Sequence, residues 1–147
     1  MDRDMTLTKA IRFYETGTPD VLRYEDVEVG EPSVGEVRIR HVAVGLNYAD
    51  TYFRNGTYKI PMPNGMGVEA SGVVEQVGEG VTNVQVGDRV TYTGFINTLG
   101  AYSEETLVPA NALIKLPEGI SCETAAAMTM RGLTSAYLMR RIYDFKA

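Results

Sequence analysis

Gly45-Leu46-Asn47-Tyr48-Ala49-Asp50-Thr51-Tyr52-Phe53-Arg54-Asn55-Gly56 is the stretch that decides the fold. After Pro61-Met62-Pro63 it is followed by Gly65-Met66-Gly67-Val68-Glu69-Ala70-Ser71-Gly72-Val73-Val74. Residues 36–44 before it alternate apolar and polar, the period-2 sign of a half-buried strand. Residues 67–77 after it form a β-rich run whose glycines suggest a bulge or a close backbone approach. Between the two, Asn47 can cap a short helical turn over 48–54, and Gly56 ends it. That turn carries Asn47, Asp50, Tyr52 and Arg54 together, and loops held by a rigid sheet are where binding groups collect. Pro61 and Pro63 exclude helix and central strand at their positions.

Outward from this stretch, short strand patterns recur at 9–14, 21–29, 89–93, 101–108 and 112–116, separated by Gly- and Pro-containing turns. Many short strands at this spacing predict a mostly β chain (α+β) with short helices, folded as a partly open barrel or a sandwich. His41 is assigned to the polar side of its strand, beside Arg38 and Arg40, and so to the surface. Glu104 and Glu105 are neighbours on a strand and face opposite sides, which rules them out as an acid/base pair.

The pattern changes at Pro117-Glu118-Gly119. Ser121 offers a helix cap, with Glu123 in the first turn and Ala125-Ala126-Ala127-Met128 behind it. Arg131-Gly132 reads as an interruption, so two C-terminal helices are expected, the second over 133–145 with Thr134 at its cap. The expected division is a β domain over 1–120 and a helical connection over 121–147.

The 147 residues suffice for one core. A net charge of −5 argues against a nucleic-acid partner, which needs clustered Lys and Arg. The single cysteine, Cys122, excludes an intramolecular disulfide framework and reads as a small apolar residue at a helix start. The first five residues lack the apolar core of a signal peptide. No run approaches the ~18 apolar residues of a membrane span. A cytoplasmic protein with no membrane partner is the expectation. Catalytic zinc takes three protein ligands, and one Cys and one His far apart do not supply them. Gly65-Met66-Gly67 and Gly78-Glu79-Gly80 lack the strand–loop–helix context of a phosphate loop.

The central stretch resembles the medium-chain dehydrogenase/reductase superfamily, and within it the zinc-free quinone oxidoreductase branch. The resemblance rests on Asn47, on Thr51-Tyr52-Phe53-Arg54-Asn55-Gly56-Thr57-Tyr58 and on Gly67-Val68-Glu69, where zinc alcohol dehydrogenases read Gly-His-Glu. Val86-Gly87-Asp88-Arg89-Val90, Gly100-Ala101-Tyr102-Ser103-Glu104 and Gly132-Leu133-Thr134-Ser135-Ala136-Tyr137 extend it along the chain. It implies a barrel like that of the small chaperonin GroES, followed beyond Ala147 by a dinucleotide-binding Rossmann domain that is missing here. The chain is then expected to be the N-terminal catalytic domain of an NADPH-dependent quinone reductase that works without metal.

Within that resemblance, Asn47 would bond near the nicotinamide or the acceptor carbonyl. Tyr52 would wall the pocket and donate from its phenol. Arg54 would neutralise a phosphate or a developing anion, and Thr134 would contact the nicotinamide amide or ribose. Read from the residues alone, Asn47 and Thr134 are equally helix caps, Tyr52 a core residue, Arg54 a solvated charge, Asp50 a structural group and Glu69 a maker of structural hydrogen bonds. The acceptor would be a quinone or another conjugated carbonyl, and the full-length enzyme a homodimer. An enoyl or alkenal reductase of the same superfamily, or a stand-alone GroES-like binding module, are the alternatives.

Overall fold

The structure is a computed structural model that describes residues 6–94 and 100–143. Eight strands run in chain order: β1 (Thr6–Phe13), β2 (Arg23–Val29), β3 (Glu36–Val44), β4 (Asn64–Gly65), β5 (Glu69–Val77), β6 (Arg89–Thr93), β7 (Glu105–Pro109) and β8 (Ile114–Lys115). Helix α1 spans Tyr48–Arg54 and α2 spans Cys122–Tyr137. One sheet has the order β2-β1-β4 and the other β7-β3-β5-β6-β8, all pairs antiparallel. The Ile11 N–H donates to Tyr102 O at 2.8 Å and the Glu104 N–H to Lys9 O at 2.9 Å, which joins the sheets along one side. The sheets make a partly open barrel, one of the two forms the strand spacing allows and the one the resemblance implies.

The core follows from alternation. On β3, Val37 and Ile39 are fully buried while Arg40 is exposed. They meet Ala70 and Val74 of β5, Val90 and Tyr92 of β6, and Val108 of β7. Each such aliphatic side chain contributes about 1.5–3 kcal/mol by leaving water. The first four residues of β5, Glu69 to Gly72, are buried irrespective of parity because both faces are covered. One face meets the core. The other meets α2, whose buried residues Cys122, Ala125, Ala126 and Thr129 fall at helical spacing. Within the sheet, β5 also lies close on β3: a Cβ on Gly72 would stand 2.1 Å from Arg40 O.

Three expectations are corrected. The break at Arg131-Gly132 does not occur: α2 is one helix of 16 residues that runs through Gly132, followed by a π turn over Leu138–Ile142. A helical glycine costs about 1 kcal/mol against alanine, and the packed stripe at 122–129 offsets it. Thr134 is therefore in the interior of α2, not at a cap; its Oγ1 donates to Met130 O at 2.8 Å. The end of the expected second helix, 144–145, lies outside the described residues, as do 95–99. Ser121 does cap α2, accepting the Thr124 N–H at 3.1 Å.

The third correction is His41. Parity places it with Val37 and Ile39, and the ring turns inward. Nδ1 lies 2.7 Å from Ser103 O and Nε2 3.0 Å from the Tyr92 hydroxyl. A carbonyl only accepts, so Nδ1 carries the proton and Nε2 accepts from Tyr92. Burial pushes the His41 pKa below its ordinary 6.5, against the opposing pull of Ser103. The fold thus prefers neutral His41. As pH falls through 6.5, the unfolded chain takes up a proton that the folded chain resists, and stability drops. Urea unfolding should show lower stability near pH 5 than near pH 7, and His41→Gln should flatten that slope. An unchanged slope in the variant would remove His41 as its cause.

Candidate active site

The site is built where β3, β5 and α2 converge. Gly45 follows β3 and its N–H donates to Glu69 O at 2.9 Å. A Cβ there would lie 2.3 Å from Glu69 Oε2 and 2.6 Å from Ala126 O, so only glycine lets the three segments meet. The loop then reaches Asn47, the N-cap of α1 in extended conformation (φ −122°, ψ 148°).

Asn47 is buried and reaches two carboxylates. Its Nδ2 donates to Glu69 Oε2 at 2.8 Å, and its main-chain N–H to Asp50 Oδ2 at 2.9 Å. The Asp50 N–H returns to Asn47 O at 3.0 Å. Glu69 is fully buried, and its second oxygen, Oε1, accepts the Met130 N–H of α2 at 2.6 Å. Arg131 adds a tie, donating from Nη2 to Leu46 O at 3.0 Å. None of the ion pairs among the described residues includes Asp50 or Glu69.

Asp50 is held from the far side by Tyr102, whose hydroxyl donates to Oδ2 at 2.7 Å. The Tyr102 ring lies on Gly67: a Cβ there would meet Cδ1 at 2.3 Å, and φ of +88° also favours glycine. Burial raises the Asp50 pKa and the Glu69 charge adds to the rise, while the Asn47 N–H and Tyr102 hydroxyl lower it. Burial first, then the Asp50 hydrogen bond, push the Tyr102 phenol upward, so it stays a donor.

Tyr52 is half-buried between Tyr48 and Tyr58, edge-on to both with centroids 5.3 Å apart. Behind it Phe53 and Val68 form a small apolar cluster with Ile60 and Met130. Arg54 turns to the 14–18 segment: its Nε donates to Gly17 O at 3.3 Å, and Gly17 N–H to Arg54 O at 2.9 Å. The structure therefore joins Asn47 to Thr134 through Glu69 and Met130 and places Tyr52 on the same helix as the Asn47 cap. Arg54 bonds to the Gly17 loop instead.

Glu69, Tyr102 and Met130 were not among the sequence candidates for the site. A lone carboxylate inside the apolar run 65–74 is the one signal that points to Glu69; its structural hydrogen bonds are as expected, but their partners are not legible in sequence. No three His, Cys, Asp or Glu side chains converge among the described residues. The places that ligate zinc in the alcohol dehydrogenases hold Asn47, whose amide bonds to Glu69, and Val68 in the apolar cluster. This donor set does not fit zinc.

Residues 33–118 match the alcohol dehydrogenase GroES-like domain. The chain belongs to that family. It is similar to the quinone oxidoreductase of Pseudomonas aeruginosa, 46% identical over 141 residues, 95% of this chain and 43% of that protein. It is also similar to the 2-haloacrylate reductase of a Burkholderia species, at 39% identity over 95% of this chain and 43% of the relative. The GroES-like fold superposes on the structure of Escherichia coli quinone oxidoreductase complexed with NADPH with a TM-score of 0.90 and 40% identity, covering 94% of this chain and 42% of that one. The chain thus spans less than half the length of these relatives. No helix among the described residues is long and apolar enough to cross a membrane.

Tyr102→Phe removes one of the two donors to Asp50 Oδ2, while Oδ1 is already buried without a partner. The loss should be about 1.5–3 kcal/mol, the range for hydrogen bonds to charged groups. Urea denaturation of the variant measures it directly. A change near zero would show that the phenol does not hold Asp50.

Proposed function

We propose that this chain is the N-terminal catalytic part of an NADPH-dependent quinone oxidoreductase, in which 1–120 form the acceptor side of the cleft and 121–147 lead to a cofactor-binding domain. The observation that carries the reading is the superposition of nearly the whole chain on a quinone oxidoreductase complexed with NADPH. The nicotinamide supplies the hydride when bound. This chain supplies orientation and exclusion of water, the protein's usual share in such chemistry. Asn47 and Thr134 would hold the nicotinamide side, and the Tyr52 face would meet the acceptor. Because Asn47 and Val68 replace metal ligands, the acceptor is one already electrophilic, as quinones are. Arg54, bonded to Gly17, serves the nucleotide less directly than the resemblance implies. The complete enzyme is a homodimer in this reading.

The similarity to a 2-haloacrylate reductase favours a second acceptor class, the conjugated alkene, on the same site. A stand-alone binding module fits less well. In α2, Met128 and Leu133 are half exposed, and with Ile114 and Leu116 they edge an apolar groove that suits a domain contact.

The test follows NADPH absorbance with a simple benzoquinone against a haloacrylate. In one polypeptide with a cofactor-binding domain, the chain should turn over the quinone. The 147 residues alone should show little, because loose binding forfeits the effective molarity that positioning provides. Tyr52→Phe should slow the longer enzyme about fivefold, the worth of one neutral hydrogen bond. Saturable turnover by a monomer of the short chain would contradict the division of labour. Turnover of the haloacrylate alone would replace the acceptor.

A further inference from the structure

Glu69 is the most deeply buried ionisable residue among the described residues, and its hydrogen-bond partners there are all donors. Oε2 takes the Asn47 carboxamide, Oε1 takes the Met130 N–H, and no cation pairs with it among the described residues. A group that only accepts decides which end of its neighbour's amide faces it. With Nδ2 turned to Glu69, the Asn47 carboxamide oxygen is the end left for the first amides of α1, in the capping box that Asn47 forms with Asp50. Those amides carry partial positive charge and want an acceptor.

We propose that Glu69 is a positioning residue: by dictating the orientation of the Asn47 carboxamide on one side and holding Met130 on the other, it sets α1, with Tyr52, against α2, with Thr134. The kinetic part of this inference rests on the quinone reductase reading; the structural part does not. Gly45 and Ala126 leave room for the carboxylate, and Gly45 has no tolerated larger substitute there. Arg131, bonded to Leu46 O, holds the same two segments from the surface but leaves the amide orientation untouched.

The chemistry gives the idea a specific test. In Glu69→Gln, the oxygen of the introduced amide serves Met130 and its NH2 faces Asn47. Asn47 must then reverse, offering Oδ1 to that NH2 and Nδ2 to the start of α1, donor against donor. In Asn47→Asp alone, two carboxylates face each other. In the double variant, Glu69→Gln with Asn47→Asp, the carboxylate introduced at position 47 accepts from the amide introduced at position 69. It still presents an oxygen to α1, where Asp is a favoured cap. Each single change should therefore damage the site, and the pair should repair it.

Hydrogen exchange of the α1 amides Asp50 and Phe53, read by NMR on the 147-residue chain, gives the structural arm. Exchange should quicken about tenfold or more in each single variant, the scale of a lost hydrogen bond to a charged group. In the double variant it should return close to the wild-type rate. In the longer enzyme, Glu69→Gln should lower kcat by about tenfold to a hundredfold, as misplacement of a positioned group does, with the quinone KM much less changed. The double variant is judged by exchange alone, because Asn47 itself faces the nicotinamide in the proposed site. Losses of protection that simply add in the double variant would reduce Glu69 to packing and overturn the proposal. Repaired exchange with an unaffected kcat in Glu69→Gln would overturn the positioning role. If the wild-type enzyme reduces no quinone, the functional reading fails, and the exchange arm still decides whether Glu69 orients Asn47.

Discussion

A carboxylate buried without a counter-charge is the constraint on which this structure depends. Removing an ion from water costs several kcal/mol even after relaxation. Glu69 tolerates this because each oxygen receives an N–H, one from the Asn47 side chain and one from the backbone of α2. Those two donors come from segments 22 and 61 residues away in sequence. The loop after β3, the start of β5 and the middle of α2 must therefore assemble together or not at all. Gly45 is the steric counterpart, since a side chain there would drive the segments apart, and Gly72 does the same between β5 and β3.

From that junction the hydrogen bonds run outward through Asn47 to Asp50 and Tyr102. The two buried carboxylates repel, which is one reason the Asp50 pKa stands above its ordinary value. The network holds because every link is a donor aimed at an acceptor. Its product is a short helix fixed at its first residue, with the Tyr48-Tyr52-Tyr58 row along its surface. In the proposed function, this aromatic face is the one that would meet a flat acceptor.

Most of the sheet was legible in the sequence. The alternation at 36–44, the capped turn 48–54 and the strand at 89–93 match β3, α1 and β6 to within a residue. Local rules sufficed where the side-chain period or a cap residue carried the information. They failed where a distant partner decided. Gly132 looks like a break, yet the stripe Cys122-Ala125-Ala126-Thr129 against β5 and β6 carries the helix through it. His41 looks like a surface residue among arginines, yet Ser103 and Tyr92, each more than fifty positions away, satisfy both ring nitrogens. The candidates Asn47 and Tyr52 emerged from one contiguous motif. Glu69 as their organiser did not, because its partners are spread over the chain and only the fold brings them together.

Native-state hydrogen exchange of the unmodified chain tests the central claim most directly. If the Glu69 carboxylate locks the junction, the Met130 and Asn47 main-chain amides open only when the core opens. They should then exchange with the same free energy as the β3 and β5 amides of Ile39 and Val74, the global unfolding free energy. The surface end of α2, beyond Gly132, should exchange far faster. Met130 and Asn47 amides that exchange at the rate of that fraying end would contradict the account: the carboxylate would then be a bystander, and the site would be held by packing alone.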